Sequence, residues 1–538
     1  MARWGVRRHR LRHPAAVATV AALLVAFVAV VLVLAAARDE PVAKTIVDLV
    51  RPEPVERDLE GIREEGVLRL LVTTDSTSYF LYRGTPMGYD YGILERFANE
   101  HELALEVVLV DDREELVERL DRGDGDVGAA RLIPDYEDVS GPAYTLSLFE
   151  TPPTLVQREG PPLGASPTVE DMLEAGPPGD PAFDPERSGL EPLEVSVRLL
   201  RRRADVAGEQ VAVPETSEYS ERALELFDVE GGEVEVVEVE DAASYEALIR
   251  QVARGEIRLA ASPRNIASLK ESYFSNLVVY PTLGPIHPVA WAVRRNAPDL
   301  LTALNAFLAQ DGELPRFDEL YEKYFVDRQG YREREASEYL TSVTGRLSPY
   351  DDLLRSQAGQ LGWDWRLLAS QTYQESRFDP DAESWAGAGG LLQLMPATAK
   401  QFQVANRFDP EDNVGGAVRF LDWLLDYWED KIADPDERLR FVLASYNAGH
   451  GHLLDARRLA EKHGDDPDVW DDVAYWLIQL SKQRYYTDPV VKYGFCRGLE
   501  PVTYVERILD RWAHYRLFVE PRREVALQSA GNAPRSAR

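Results

Sequence analysis

Residues 374–399 read QESRFDPDAESWAGAGGLLQLMPATA, a run that closes one helix and opens an irregular, glycine-rich loop. Leu367, Leu368, Ser370 and Gln371 precede it in helical register. Pro380 and the glycines that follow force the chain out of helix, because proline has no N–H to donate and crowds the turn before it. Glu375 therefore stands at a helix-to-loop junction, beside a bend where bare backbone can approach a ligand closely. A carboxylic acid desolvated there by neighbouring aromatics acquires a raised pKa, which suits it to donating a proton near neutrality. Asp379 and Asp381 are the local candidates for a second acid, and their place in a proline-containing turn reads better as solvated turn residues.

Toward the C-terminus the pattern stays helical. Residues 353–361, 365–374, 414–428, 438–447 and 473–481 carry apolar side chains at helical spacing and predict an all-α domain. Eight of the ten Trp fall in this part (Trp363, Trp365, Trp385, Trp423, Trp428, Trp470, Trp476 and Trp512), most of them expected in the core, although indoles also suit stacking on sugar rings. His450 and His452 are two apart on what reads as an irregular loop with no cysteine nearby, a poor metal pair, so no metal and no cofactor are expected. From Leu517 the periodicity fades, and residues 516–538 read as a flexible tail.

Upstream the period changes from helix to strand. Residues 67–73 read as a strand, 89–100 as a helix, 103–110 as a strand and 114–122 as a helix, which is the alternation of an α/β layer. Proline and glycine dominate residues 160–192, within an insertion expected near 160–203 that lacks the apolar content for a core. New strands then appear at 210–213 and 234–239, helices at 219–226 and 245–254, and further strands at 278–280 and 289–293, giving a second α/β lobe.

The N-terminus belongs to different surroundings. Residues 15–37 are apolar apart from Thr19, long enough to cross a bilayer at 1.5 Å per residue. Arg3, Arg7, Arg8, Arg10 and Arg12 precede them and keep that end cytoplasmic, so the remainder is expected outside the inner membrane. A retained anchor is favoured over a cleaved signal because the apolar run exceeds the usual signal core of about 7–15 residues. Residues 39–60, with Pro41, Pro52 and Pro54, suit a tether. The 538-residue chain carries 60 Lys and Arg against 92 Asp and Glu, a formal charge of −32. Such a balance lacks the basic face that general nucleic-acid binding needs. The single cysteine, Cys496, permits neither an internal disulfide nor a cysteine-based zinc site.

Residues 62–326 resemble the family-3 solute-binding proteins of bacterial amino-acid transporters, in the segments 66–72 (GVLRLLV), 88–98 (GYDYGILERFA), 120–126 (LDRGDGD) and 207–219 (AGEQVAVPETSEY). The resemblance implies two lobes around a cleft, crossed twice by the chain, with residues 283–326 returning to the first lobe. The arginine that grips a ligand carboxylate in that family has no counterpart in Ile133, Pro134, Asp135 and Tyr136, and Ser262 stands where an acid usually pairs with the ligand's amino group. Arg131 is the nearest remaining guanidinium. A free amino-acid ligand is therefore not expected, and muropeptides are the alternative occupants of the α/β cleft.

Residues 347–512 resemble the soluble-lytic-transglycosylase domain, a lysozyme-like helical fold of the goose type. Its Glu-Ser motif is matched by Glu375, Ser376, Phe378 and Pro380; its Gly-Leu-Met-Gln motif by residues 390–396, with Leu392 in place of the usual Met; its Ala-x-Tyr-Asn-Ala-Gly motif by residues 444–449; and its late tyrosine by Tyr504. A binding-protein-like domain ahead of such a domain, behind a membrane signal, resembles the membrane-bound lytic murein transglycosylases. That resemblance implies cleavage of the MurNAc-β-1,4-GlcNAc bond of peptidoglycan without water, with 1,6-anhydroMurNAc ends. Glu375 would be the catalytic acid and base. Tyr446 and Tyr504 would hold it, and Ser376, Ser384, Gln393, Met395 and Asn447 would line the glycan groove. The competing expectations are a lysozyme-type muramidase and a non-catalytic cell-wall receptor. The expected organisation is a basic end and anchor (1–38), a linker (39–61), the two-lobed domain (62–330), the catalytic domain (346–515) and the tail, in a periplasmic, membrane-associated protein bound to peptidoglycan glycan strands.

Overall fold

Short apolar strands alternating with capped amphipathic helices build two α/β lobes in this computed structural model, which describes residues 55–135, 141–159, 199–215, 217–229, 231–239, 244–309 and 315–519. The expected span at 15–37, Tyr136, and residues 160–198 of the expected insertion lie outside the described residues. No helix among the described residues is long and apolar enough to cross a membrane.

The strands are β1 (Val67–Val72), a hairpin of β2 (Phe80–Tyr82) and β3 (Thr85–Met87), β4 (Ala104–Leu109), β5 (Val127–Leu132), β6 (Ala143–Tyr144), β7 (Phe149–Thr151), β8 (Pro153–Arg158), β9 (Gln210–Pro214), β10 (Glu235–Val239), β11 (Leu259–Pro263), β12 (Leu277–Thr282) and β13 (His287–Val293). One sheet runs β4–β1–β5–β13–β6 with β7 beside β13, the other β10–β9–β11–β8–β12. The chain thus leaves the first lobe between β7 and β8 and returns between β12 and β13, the double crossing expected from sequence. Parallel pairing of β1 with β4 and β5 needs crossover helices. Helix α1 (Leu59–Glu65) leads into β1, α2 (Tyr89–Glu100) and α3 (Arg113–Arg122) are those crossovers, and α4 (Tyr245–Arg254) and α5 (Arg264–Tyr273) follow β10 and β11 in the second lobe. The third helix shows how sharply the sequence sets its ends: Asp112 accepts from the Glu115 amide, and Gly123 closes it at φ 81°.

The expected tether is corrected at its end. Arg57 is buried and donates to Asp126 at 2.9 Å, and Asp126 also pairs with buried Arg294 at 3.0 Å, so the fold begins before α1. Asp58 caps α1 and also accepts from the amides of Asp299 and Leu300. A difference of this kind is invisible to composition, because it depends on a carboxylate 69 residues away.

After a helix at Arg328–Glu335 (α6) comes the all-α part: α7 (Asp351–Leu361), α8 (Trp365–Ser376), α9 (Pro410–Glu429), α10 (Pro435–Ala448), α11 (His450–His463), α12 (Trp470–Gln479) and α13 (Leu499–Phe518). The start of the expected tail is corrected too. Arg516, Leu517 and Phe518 complete α13, and Val519 is buried with its carbonyl accepting from Arg366 at 2.8 Å.

The hairpin β2–β3 joins the two architectures. Its two-residue turn, Arg83 and Gly84 at φ 48° and 74°, matches the strand twist as a type I′ turn does. Leu81 from the hairpin is fully buried among the helical-domain side chains, while Leu517 and Phe518 pack onto the α/β core. Tyr515 donates to the Gly84 carbonyl at 2.9 Å, and Thr85 Oγ1 lies 2.6 Å from Tyr373 Oη on α8. Tyr79 Oη meets His514 Nδ1 at 2.5 Å, and Arg83 donates its amide to Tyr339 at 2.9 Å.

A Cβ on Gly84 would fall 2.6 Å from Tyr515 Oη and 2.9 Å from Phe378, at a backbone angle that only glycine adopts freely. Gly84→Ala should therefore cost about 3 kcal/mol, the sum of left-handed strain and overpacking. The urea midpoint of the full chain measures it, and a loss below about 0.5 kcal/mol, the range of an ordinary surface change, would contradict a tightly docked hairpin.

Candidate active site

Glu375 is the penultimate residue of α8, and the chain leaves that helix through Arg377 and Phe378, both in the left-handed region at φ 55° and 64°. Phe378 turns back beneath the helix against Tyr373, ring centroids 5.7 Å apart, so the end of α8 is wedged from behind. The following loop has little regular structure and is held by side chains instead. Ser376 Oγ donates to the Leu391 carbonyl at 2.8 Å, Tyr446 to that of Leu392 at 2.7 Å, and Gln393 Nε2 to those of Ala382 and Gly390 at 2.8 and 2.9 Å. Fully buried Asn413 accepts from the Leu392 amide at 2.8 Å and donates to Gly389 and Arg407 at 2.9 and 2.7 Å. Gly390, at φ 82°, leaves no room for a side chain: its Cβ would lie 1.9 Å from the Arg407 carbonyl oxygen.

This frame holds Glu375 half-buried. Tyr504 on α13 donates to Glu375 Oε1 at 2.6 Å and accepts from Gln371 Nε2 at 3.1 Å. Burial pushes the carboxyl up to about 7, against the opposing pull of the Tyr504 hydrogen bond. The phenols of Tyr446 and Tyr504 are raised well above their ordinary value, first by burial and then by the charge of Glu375.

A cleft of about 700 Å³ opens over the carboxyl, lined by Gln374, Glu375, Asn447, Ile478, Ser481, Arg497, Gly498, Leu499, Glu500, Thr503, Tyr504 and Arg507. Of the residues expected at the site, Glu375, Asn447 and Tyr504 meet in this cleft. Ser376, Gln393 and Tyr446 point their polar atoms into the loop frame, and Tyr446 donates to Leu392 rather than to Glu375. Ser384 Oγ closes its own turn by accepting from the Ala388 amide at 3.0 Å, and Met395 is 43% exposed at the start of the next short helix. Asp379 accepts from the Asp381 amide at 3.0 Å in an exposed turn, as a turn residue should.

The histidines differ from expectation: they begin α11 rather than an irregular loop, with His450 packed on Trp423 and Tyr427 and His452 on Tyr493. Among the described residues no three His, Cys, Asp or Glu side chains cluster as metal ligands would. The tryptophans divide as well. Trp428, Trp470 and Trp476 are buried, whereas Trp385 is 98% exposed at the tip of the Ser384 turn. Gln371, Asn413, Arg497, Glu500 and Arg507 were not legible as site residues. The one available signal was spacing, since Glu500, Tyr504 and Arg507 repeat on one face of α13.

Residues 352–469 match the family model described as Transglycosylase SLT domain. Membrane-bound lytic murein transglycosylase F of Desulfosudis oleivorans is 32% identical over 458 residues, covering 84% of this chain and 90% of that protein. The protein of the same name from Stutzerimonas stutzeri is 32% identical over 455 residues, covering 84% and 85%. Among solved structures, the amino acid ABC transporter substrate-binding protein AbpA from Streptococcus pneumoniae aligns with 50% of this chain and 98% of its own, at 14% identity and a TM-score of 0.38. The arginine-bound form of truncated ArgBP from T. maritima covers 47% and 99%, at 17% identity and a TM-score of 0.34.

The raised acidity constant also bears on stability. Glu375 binds its proton more tightly in the folded chain (about 7) than unfolded (4.5), so its favourable contribution is complete below pH 4.5 and is lost as pH rises through 7. Glu375→Gln removes the ionisable group. The variant should gain on the order of 3 kcal/mol relative to the parent at pH 8 and show no such gain at pH 4. Thermal unfolding at the two pH values checks this, and a pH-independent difference would refute it.

Proposed function

The chain belongs to the membrane-bound lytic murein transglycosylase F family, and from that premise we propose that Glu375 alone is the acid and then the base of the reaction. The protein is a peptidoglycan lytic transglycosylase with a binding-protein-like domain, and its substrate is the glycan strand. In our reading Glu375 gives its proton to the glycosidic oxygen, the C1–O bond breaks, and GlcNAc leaves with a free 4-hydroxyl. The 2-acetamido oxygen supports the positive charge at C1. The Glu375 carboxylate then takes the proton of the MurNAc 6-hydroxyl as O6 bonds to C1, which restores the acid and leaves a 1,6-anhydro end. No water is consumed.

The observation that carries this reading is the Glu375–Tyr504 pair. A carboxyl poised at about 7 is matched both to giving and to taking a proton near neutrality. Glycosidases that use water or a covalent intermediate need a second carboxylate set about 5–9.5 Å away. Asp379 and Asp381 are exposed in their turn, and Glu500, the other acid lining the cleft, is exposed at the start of α13. Tyr504 fixes the reacting carboxyl, Asn447 offers the glycan an amide, and Ser376, Ser384, Gln393 and Tyr446 act by keeping the loop in shape. Met395 adds an exposed apolar surface to the groove.

We also read the two-lobed region as closed to free α-amino acids. Arg131, in the left-handed region at φ 53°, is spent on Asp75 at 2.8 Å. Buried Glu246, on the second lobe, is held by Lys270 at 3.2 Å and by Ser76 of the first at 2.6 Å. Ser262 donates to the Pro263 carbonyl at 3.2 Å. An amino acid would have to break these pairs before making its own, whereas a bulkier cell-wall peptide can use the cleft's rim and regulate the enzyme from there. The protein is a membrane-associated periplasmic enzyme, and we assign its attachment to residues 15–37 in the inner membrane.

Purified murein strands digested by the full chain should give products with 1,6-anhydroMurNAc ends by mass spectrometry, and Glu375→Gln should lower the rate by at least about a hundredfold with the fold retained. Reducing MurNAc ends as the main product would favour a muramidase, and the 1,6-anhydro ends should persist in Glu500→Gln. Calorimetry of the full chain with single amino acids should show no binding tighter than about 1 mM, the affinity left when charge-assisted contacts are missing. Submicromolar binding would overturn that reading.

A further inference from the structure

The cleft over Glu375 contains two guanidinium groups that the reaction above does not use. On α13, Glu500, Tyr504 and Arg507 share one stripe, with Tyr504 at its middle gripping the reacting carboxyl and Arg507 one turn further on. Arg497 stands just before the helix on the same cleft wall. Both are exposed, and neither guanidinium makes a hydrogen bond or a close ion pair with any described residue. Their neighbour Arg511 shows what a structural arginine on this stripe looks like: it donates to Gln374 Oε1 at 3.3 Å and to the Ser370 carbonyl at 3.5 Å, and it stacks 4.5 Å from the Tyr373 ring. The chain carries a formal charge of −32, yet the charged side chains lining this cleft are Arg497 and Arg507 beside Glu375 and Glu500, and with Glu375 in its proton-bearing form the cleft has no net negative charge. Neither guanidinium pairs with Glu375, whose carboxyl is held by Tyr504. They line the same cleft as the reacting carboxyl.

The sugars of a murein strand are uncharged once each lactyl group is amide-linked to its stem peptide. The anions are then carboxylates of those peptides. A guanidinium binds a carboxylate through two parallel N–H donors, with geometry as well as charge. Resting on the transglycosylase reading, we propose that Arg497 and Arg507 form a carboxylate-binding subsite that receives the acidic stem peptides on either flank of the scissile bond. The enzyme then selects strands by their peptides as well as by their sugars, and a peptide-bearing strand approaches with electrostatic help that salt screens.

The test uses the full chain and three substrates: uncrosslinked strands with free stem carboxylates, the same strands after carbodiimide-mediated amidation, and strands stripped of peptide, which retain only the lactyl carboxylate. The wild type should show kcat/KM about tenfold higher for the free-acid strands than for the amidated ones, one charge-assisted contact's worth of affinity. In Arg497→Gln/Arg507→Gln that ratio should fall toward one, together with its dependence on ionic strength. A ratio near one in the wild type, or a ratio unchanged in the variant, overturns the subsite. A stripped-strand advantage over amidated strands that disappears in the same variant reassigns the anion to the lactyl group and overturns the stem-peptide assignment. No anhydro-ended product from any of the three overturns the catalytic reading and the subsite with it, a result distinguishable by mass from the others.

Discussion

The docking of one small hairpin onto the back of the helix that carries Glu375 governs how the rest of this molecule is arranged. Glu375 can be held at the mouth of a cleft because α8 is fixed from behind by Phe378, Tyr373 and the Arg83–Gly84 turn. The same hairpin lends Leu81 to the helical core, while α13 returns Phe518 to the α/β side, with its ring 5.3 Å from Tyr79. Each half therefore completes the other's apolar packing. The segment that leads into the hairpin passes through Asp75, Ser76, Thr77 and Ser78, the residues that meet Arg131 and Glu246. One continuous segment thus touches both the inter-lobe cleft and the helix that carries the acid.

Much of the architecture was legible because it is encoded locally. Helix α2 was read with both ends correct, since Ile93, Leu94 and Phe97 recur on one face and glycine precedes the first turn. Strands β5 (VGAARL) and β11 (LAASP) were not, because small side chains in a strand covered on both faces carry no alternation. The helix expected at 219–226 breaks at Arg222, whose φ of −122° is non-helical and whose guanidinium reaches across to the Ile133 carbonyl at 3.1 Å, a tertiary pull no window of sequence contains. The end of α13 was misread for the opposite reason: its arginines look solvated, whereas Phe518 packs onto the first lobe and Val519 enters the helical core, contacts that no local pattern contains.

The site divides along the same line. Glu375 and Tyr504 belong to motifs whose order along the chain announces them. The side chains that shape the loop, above all Asn413, and the cations of the cleft wall come from segments with no motif of their own. The motif serines and Gln393 were expected to meet the ligand, yet the polar atoms of Ser376 and Gln393 are engaged with backbone carbonyls and the Ser384 hydroxyl accepts from the Ala388 amide. Their residue types fit that structural duty as well as the other, which is why pattern alone assigned them to the groove.

Surface loops ordinarily accept insertions and deletions, because few of their backbone groups have assigned partners. The loop after α8 is different. The carbonyls of Ala382, Gly389, Gly390, Leu391 and Leu392 and the amide of Leu392 each have a named side-chain partner, drawn from α8, α9, α10 and the loop itself. Adding one residue anywhere between them would put every later group out of step with its partner, as a register slip does in a sheet. This segment therefore has the length constraint of a β-strand while containing almost no strand, and changes in its length should be as poorly tolerated as a break in the sheet.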